Sequence, residues 1–140
     1  MKTVIKYICI YLIMMTIVKC DYKGVPDERI FSMNALIKDF RINIDDEFII
    51  QVAGNPTTGY SWYLDNNSDE THLEALNLNQ HKSSKDYEVN DHPVGFTGVG
   101  GVYYFRFKGV QKGTYFLLFI NKRIWEKTNL KERRVTIHIE

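Results

Sequence analysis

Hydrophobic and polar residues alternate with a period of two along much of this chain, the spacing of strands that bury one face. Residues 40–44, Phe-Arg-Ile-Asn-Ile, follow that rule, and Phe48, Ile50 and Val52 resume it beyond a charged turn, Asp45-Asp46-Glu47. Residues 40–44 and 48–52 therefore predict a hairpin. Residues 60–64, Tyr-Ser-Trp-Tyr-Leu, suit a central strand with Trp62 turned to the core. The clearest strand is 102–110, where Tyr103, Phe105 and Phe107 alternate with Tyr104, Arg106 and Lys108. A short turn at Gln111-Lys112-Gly113 leads to an apolar run, 114–120, and the pair predicts a second hairpin whose return strand is buried on both faces. Val135, Ile137 and Ile139 form the inner face of a terminal strand with His138 outward, and residues 30–33 suit a short strand near the start.

The segments between are less regular. Residues 72–78 fit helix and strand templates about equally. Residues 80–94, the most polar stretch, predict a mobile loop, and residues 21–30, with Gly24 and Pro26 as breakers, a loosely held arm that could extend to residue 34. Short alternating strands joined by turns, with no long amphipathic helix and no repeat, describe an all-β sandwich of about seven to eight strands in a single domain.

Three connections carry unusual sequence. Asn55-Pro56-Thr57-Thr58-Gly59-Tyr60 joins two predicted strands. Proline fixes its own φ and pushes Asn55 toward extended geometry, the threonines are stiff at χ1, and Gly59 can turn the chain back. Taken alone it is also an ordinary β-turn composition. Gly98-Val99-Gly100-Gly101 precedes a strand and alone reads as a flexible hinge. Arg123-Ile124-Trp125 follows another strand, where Trp125 could cap the core and Arg123 could be a solvated charge. In this order the three runs resemble the chagasin family of cysteine peptidase inhibitors, which carry NPTTG followed by an aromatic, then GxGG, then RPW or a close relative. The likeness spans most of the chain from residue 48 onward.

The resemblance implies an immunoglobulin-like topology with three binding loops at one end, and a strand for residues 72–78. It implies that Asn55, Pro56, Thr57, Thr58, Gly59 and Tyr60 enter the catalytic centre of a papain-like peptidase, with Thr57 and Thr58 in the cleft and no covalent step. Gly98, Val99, Gly100 and Gly101 would run along one wall through main-chain contacts, while Arg123, Ile124 and Trp125 flank the other side. Ile124 stands where the family usually has proline. Its φ is free, so the third loop is expected to be less preorganised, by about 0.5–1 kcal/mol.

Charge and cysteines bound the setting. Residues 1–20 combine Lys2 and Lys6 with an uncharged apolar run, 7–18, shorter than the ~20 residues of a spanning helix, and read as a signal peptide cut after Cys20. An uncleaved anchor, or a lipidated Cys20, fits the flanking residues less well. Residues 21–140 would form the inhibitor domain, entering the secretory route for release or for a lysosome-like or vacuolar compartment. Cys9 and Cys20 would leave with the leader, so no disulfide is expected. The chain's formal charge is +1; without Lys2, Lys6 and Lys19 the remainder carries −2. Such a balance does not predict nucleic-acid binding, and Lys131-Glu132-Arg133-Arg134 reads as a solvated turn. Asn66-Asn67-Ser68 matches an N-glycosylation acceptor at Asn66.

No catalytic set emerges. Serines lack a G-x-S-x-G context, His72, His81, His92 and His138 are scattered without metal-box spacing, and GVGG lacks the Lys-Ser/Thr of a phosphate loop. The expectation is a monomeric, cofactor-free, non-enzymatic inhibitor of papain-like peptidases, cathepsin L-like enzymes foremost, free of the membrane in its mature form. The competing expectation is a secreted immunoglobulin-like adhesion or carbohydrate-binding module, with an accessory domain of a secreted enzyme behind it.

Overall fold

The computed structural model describes residues 20–21, 24–34, 39–65, 67–68, 72–127 and 131–140. The leader up to residue 19 and the acceptor Asn66 lie outside them. Two sheets face each other. One takes the order β4 (Asp39–Ile42), β11 (Lys131–Ile139), β10 (Gly113–Lys122), β6 (Ser61–Leu64). The other takes β3 (Ile30–Ser32), β5 (Glu47–Gly54), β9 (Gly101–Gly109), β7 (Leu73–Ala75), with β8 (Asp86–Val89) also paired to β9. A two-strand ribbon, β1 (Cys20–Asp21) with β2 (Val25–Pro26), stands before them. This is an all-β sandwich of immunoglobulin-like architecture.

The alternation places the core where period two requires it. Phe48, Ile50, Val52, Tyr103, Phe105 and Phe107 point inward from one sheet, and Leu64, Leu117, Phe119, Val135, Ile137 and Ile139 meet them from the other. Phe105 and Phe119 join the layers edge to face, with ring centroids 4.9 Å apart. Trp62 is buried as expected, and its indole N–H donates to the Ala53 carbonyl at 3.1 Å, tying the start of β6 to the end of β5.

Neither predicted hairpin forms. β4 pairs with β11 and β5 with β3 and β9, so the chain crosses from one sheet to the other at residues 43–46. Asp45 takes a positive φ of 67°, and the Ile44 and Asp45 N–H groups donate across the end of the sandwich to Glu140 and Gly109. Ion pairs to Arg29, Lys108 and Arg106 hold the three turn acids. β9 and β10 likewise belong to different sheets, joined by an arch in which the Tyr115 hydroxyl donates to the Lys112 carbonyl at 2.6 Å. Both strands of each arch bury alternate residues in one shared core, a pattern that a hairpin would also show.

Four further expectations change. Lys131-Glu132-Arg133-Arg134 is not a turn but the start of β11, paired to β10 with its side chains exposed. The outer face of β10 is only half-covered at Phe116 and Leu118, where Arg134 lies 4.8 Å over the Phe116 ring. Residues 80–94 are not simply a loop, because β8 lies within them and Ser83 and Ser84 are buried. Their polar groups are satisfied inside the fold: the Ser83 hydroxyl donates to the Trp62 carbonyl at 2.9 Å. The N-terminal residues from 24 to 34 are anchored, with Val25 and Met33 fully buried and β3 paired to β5. The ambiguous stretch at 72–78 contains the strand β7.

Candidate functional site

Strand register decides where the three unusual runs end up. Gly54 at the end of β5 pairs with Gly101 at the start of β9, and Lys122 at the end of β10 pairs with Ser61 at the start of β6. The segments leaving these four positions therefore emerge at the same end of the sandwich. They are the β5–β6 loop, the approach to β9 and the loop after β10.

The β5–β6 loop is a 3-10 turn over Pro56–Thr58, capped by Asn55 in extended geometry and closed by Gly59 at φ 82°. Proline at the first turn position presets its φ and has no N–H to leave unsatisfied. Asn55 Oδ1 accepts from the Thr57 N–H at 3.2 Å and from the Thr57 hydroxyl at 2.5 Å, and the Thr58 hydroxyl donates to the Asn55 carbonyl at 2.7 Å. Both threonine side chains thus lock the turn, and both residues remain exposed.

The neighbouring loops are tied to this turn. Asn55 Nδ2 donates to the Gly98 carbonyl at 2.7 Å, and Arg123 Nε donates to the Thr58 carbonyl at 3.3 Å. The Arg123 guanidinium lies 4.5 Å over the Tyr60 ring, a cation–π contact, and its other arm pairs with Glu126 at 3.2 Å. A Cβ placed on Gly59 would come within 3.4 Å of the Trp125 ring, which is itself 68% exposed. Thr57, Gly98, Arg123 and Trp125 therefore occupy one continuous tip.

The glycines of the second run divide in role. Gly101 is buried, and a Cβ there would lie 2.1 Å from the Glu88 carbonyl oxygen and 2.6 Å from the Tyr87 hydroxyl. It serves the packing of β8 on β9 and presents nothing outward. At Gly100 an added Cβ would make only ordinary contact, 3.4 Å from the Gly54 carbonyl. Below the tip, Tyr103 is buried against the Tyr87 ring at 4.7 Å, and its hydroxyl is 3.1 Å from that of Ser61. Burial pushes the Tyr103 phenol above its ordinary 10.0, with the Ser61 hydrogen bond pulling the other way.

The tip presents Thr57, Thr58 and Trp125 as exposed surface. Its one guanidinium is neutralised by Glu126. Among the described residues no group of three His, Cys, Asp or Glu side chains could hold a metal. The profile of the chagasin family peptidase inhibitor I42 matches residues 41–139. The chain belongs to the chagasin family. As a member of that family it is a peptidase inhibitor and not an enzyme.

Its chagasin relatives include Amoebiasin-1 of Entamoeba histolytica, 31% identical over 90 residues, which span 64% of this chain and 76% of that protein. Two solved structures share the fold. The cysteine protease inhibitor EhICP2 from Entamoeba histolytica superposes with a TM-score of 0.63 at 21% identity, over 80% of this chain and 95% of that one. Amebosin superposes with a TM-score of 0.59 at 24% identity, over 79% of this chain and 96% of that one. The chagasin motifs marked the tip residues correctly as neighbours, but not their division of labour. Asn55 and Gly101 organise the tip from within, and Glu126, outside every motif, completes it.

Proposed function

We propose that this chain is a reversible inhibitor of papain-like cysteine peptidases, cathepsin L-like enzymes foremost, acting as a monomer that plugs the catalytic cleft with its three-loop tip. The observation that carries the reading is the Asn55-locked turn, wedged between the Gly98–Gly101 approach and the Arg123–Trp125 loop with Thr57 and Thr58 exposed at its crest. A turn that is already rigid loses little conformational entropy on docking. Arg and Trp are frequent anchors of tight interfaces, and here they sit beside the turn. Nanomolar affinity requires about 12 kcal/mol, within reach of an interface of roughly 1,600 Å² whose anchors are well placed.

Blockade without cleavage follows from the same geometry. A peptidase cuts a peptide that lies extended through its cleft, and Pro56–Thr58 is coiled. Residues 21–140 contain no cysteine, so this segment carries no disulfide for the enzyme's nucleophilic thiolate to attack. The inhibitor would reach its targets through the secretory route, outside the cell or in a lysosome-like compartment.

Titration of active-site-calibrated papain with the purified protein tests the reading. Near one-to-one, substrate-competitive inhibition is expected, with Thr57→Arg plus Trp125→Ala weakening it by about 100-fold or more, the scale of two lost hot spots. Absence of inhibition at micromolar concentrations of a folded protein, against papain and a cathepsin L-like enzyme alike, overturns it.

A further inference from the structure

Beside the tip lies an apolar surface that no motif includes. Val89 at the end of β8 is 54% exposed, Phe96 is 66% exposed, and Val94 stands fully in solvent. Single exposed hydrophobics are ordinary on a protein surface, whereas these three fall in one short stretch of sequence, and two of them, Val89 and Phe96, line one groove. From 89 to 98 that stretch carries one formal charge, Asp91, with His92 the other titratable side chain.

A groove of about 390 Å³ runs between this stretch and the tip. Pro56, Thr57 and Val99 line it from the motif loops, and Tyr87, Val89, His92 and Phe96 line it from the other side. Because Thr57 forms part of one wall, a partner that covers Thr57 also reaches the groove. The groove is large enough for an aromatic or branched aliphatic side chain, and its lining offers mostly carbon. Interface size points the same way. Stable complexes use about 20–30 residues a side, more than three short loops expose.

We propose that the groove and Phe96 form a fourth contact surface, which accepts an apolar side chain from the rim of the target peptidase's cleft and selects among peptidases by that rim's chemistry. The inference rests on the inhibitor reading above. A charged rim residue at this place would lose its water against a mostly carbon lining in which the His92 ring and the Tyr87 phenol are the titratable groups, so such enzymes are held less tightly.

The test uses Phe96→Glu and Phe96→Ala, with Val110→Glu as a control at the far end of β9. Inhibition constants and dissociation rates are measured against papain and several papain-family peptidases whose cleft rims, on the side facing Gly98–Gly101, differ in being apolar or charged. With exposed positions altered, melting temperatures should match the parent protein. The expected result is that Phe96→Glu weakens inhibition of apolar-rimmed enzymes about 10-fold or more through faster dissociation, as loss of an anchor does, and changes that of charged-rimmed enzymes little or in the opposite sense. Val110→Glu should change neither. Equal weakening across the panel overturns the selectivity, and unchanged constants for every enzyme the parent inhibits remove this surface from the interface. A folded parent that inhibits no member of the panel brings down the inhibitor reading itself.

Discussion

Asn55 donates its side-chain amide to the Gly98 carbonyl at 2.7 Å, across 43 residues of sequence, while its Oδ1 accepts from Thr57. One side chain therefore holds the shape of the first loop and its distance from the second. Asn55→Asp keeps the acceptor and replaces the donor by an anion facing a carbonyl oxygen, so it tests the tie between the loops alone. Inhibition should weaken by about tenfold, the equivalent of one net hydrogen bond. Asn55→Ala also frees the turn, and the loop can then relax toward the extended form a peptidase cuts. Incubation with a trace of active papain, followed by mass spectrometry, should show cleavage within residues 55–60 of the alanine variant and an intact parent. Equal resistance of both proteins would show that the turn does not need this lock.

Gly101→Ala and Gly100→Ala separate folding from binding within one motif. The first places a methyl 2.1 Å from a backbone carbonyl of β8, and backbone cannot yield as a flexible side chain can. Overpacking of this kind costs about 1–3 kcal/mol or more, so β8 should detach from β9 or the melting temperature should drop by roughly 4–8 °C per kcal/mol lost. Gly100→Ala makes an ordinary contact and should melt as the parent does. Any loss of inhibition it shows then belongs to the interface. Circular dichroism melts of the two variants check the contrast, and equal melting of both refutes it.

Tyr103 links stability to pH at the alkaline end. Burial raises its phenol above 10.0, so the folded state holds the proton more tightly than the unfolded chain. Stability from this source is complete below the unfolded value and is lost as pH rises through the higher folded value. Tyr87 is raised by burial too and shares the effect. Melting temperature should therefore fall as pH rises beyond about 10, and Tyr103→Phe should make that fall shallower while costing about 1 kcal/mol at neutral pH for the lost Ser61 bond. A variant with an unchanged alkaline slope would exclude Tyr103 as a source.

How far the sequence could be read follows from what each signal encodes. Alternation in 102–110 and at Val135, Ile137 and Ile139 reports which face of a strand is buried, and those faces are correct. It does not report the neighbouring strand, which is why the arches at 43–46 and 110–112 resemble hairpins until the pairing of β4 with β11 and of β9 with β5 is seen. Polarity misled at Ser83 and Ser84, whose hydroxyls find carbonyl partners inside the fold. At the tip, motif spacing identified the convergent loops through their resemblance to known inhibitors. Which glycine faces outward, that Glu126 pairs with Arg123, and that Phe96 borders the groove all depend on three-dimensional proximity that no local pattern records.

Glu126 is expected to supply the restraint that a proline at position 124 would give the third loop. Ile124 leaves φ unrestrained, yet the Glu126 N–H donates to the Arg123 carbonyl at 3.0 Å and its carboxylate pairs with the Arg123 guanidinium, closing residues 123–126 into a turn. That guanidinium is the group that reaches Thr58 and stacks on Tyr60. The ion pair is about one-third exposed, so its contribution is of the order of 0.2–1 kcal/mol and is screened by salt. Glu126→Ala should weaken papain inhibition by about two- to fivefold at low ionic strength and less at high. Ile124→Pro limits the unbound loop by another route, so it should restore affinity in the Glu126→Ala background more than it improves the parent. A double-mutant cycle on inhibition constants measures that coupling. Strictly additive effects would mean that the carboxylate and the backbone restraint act on different properties of the loop, and that Glu126 does not replace the proline.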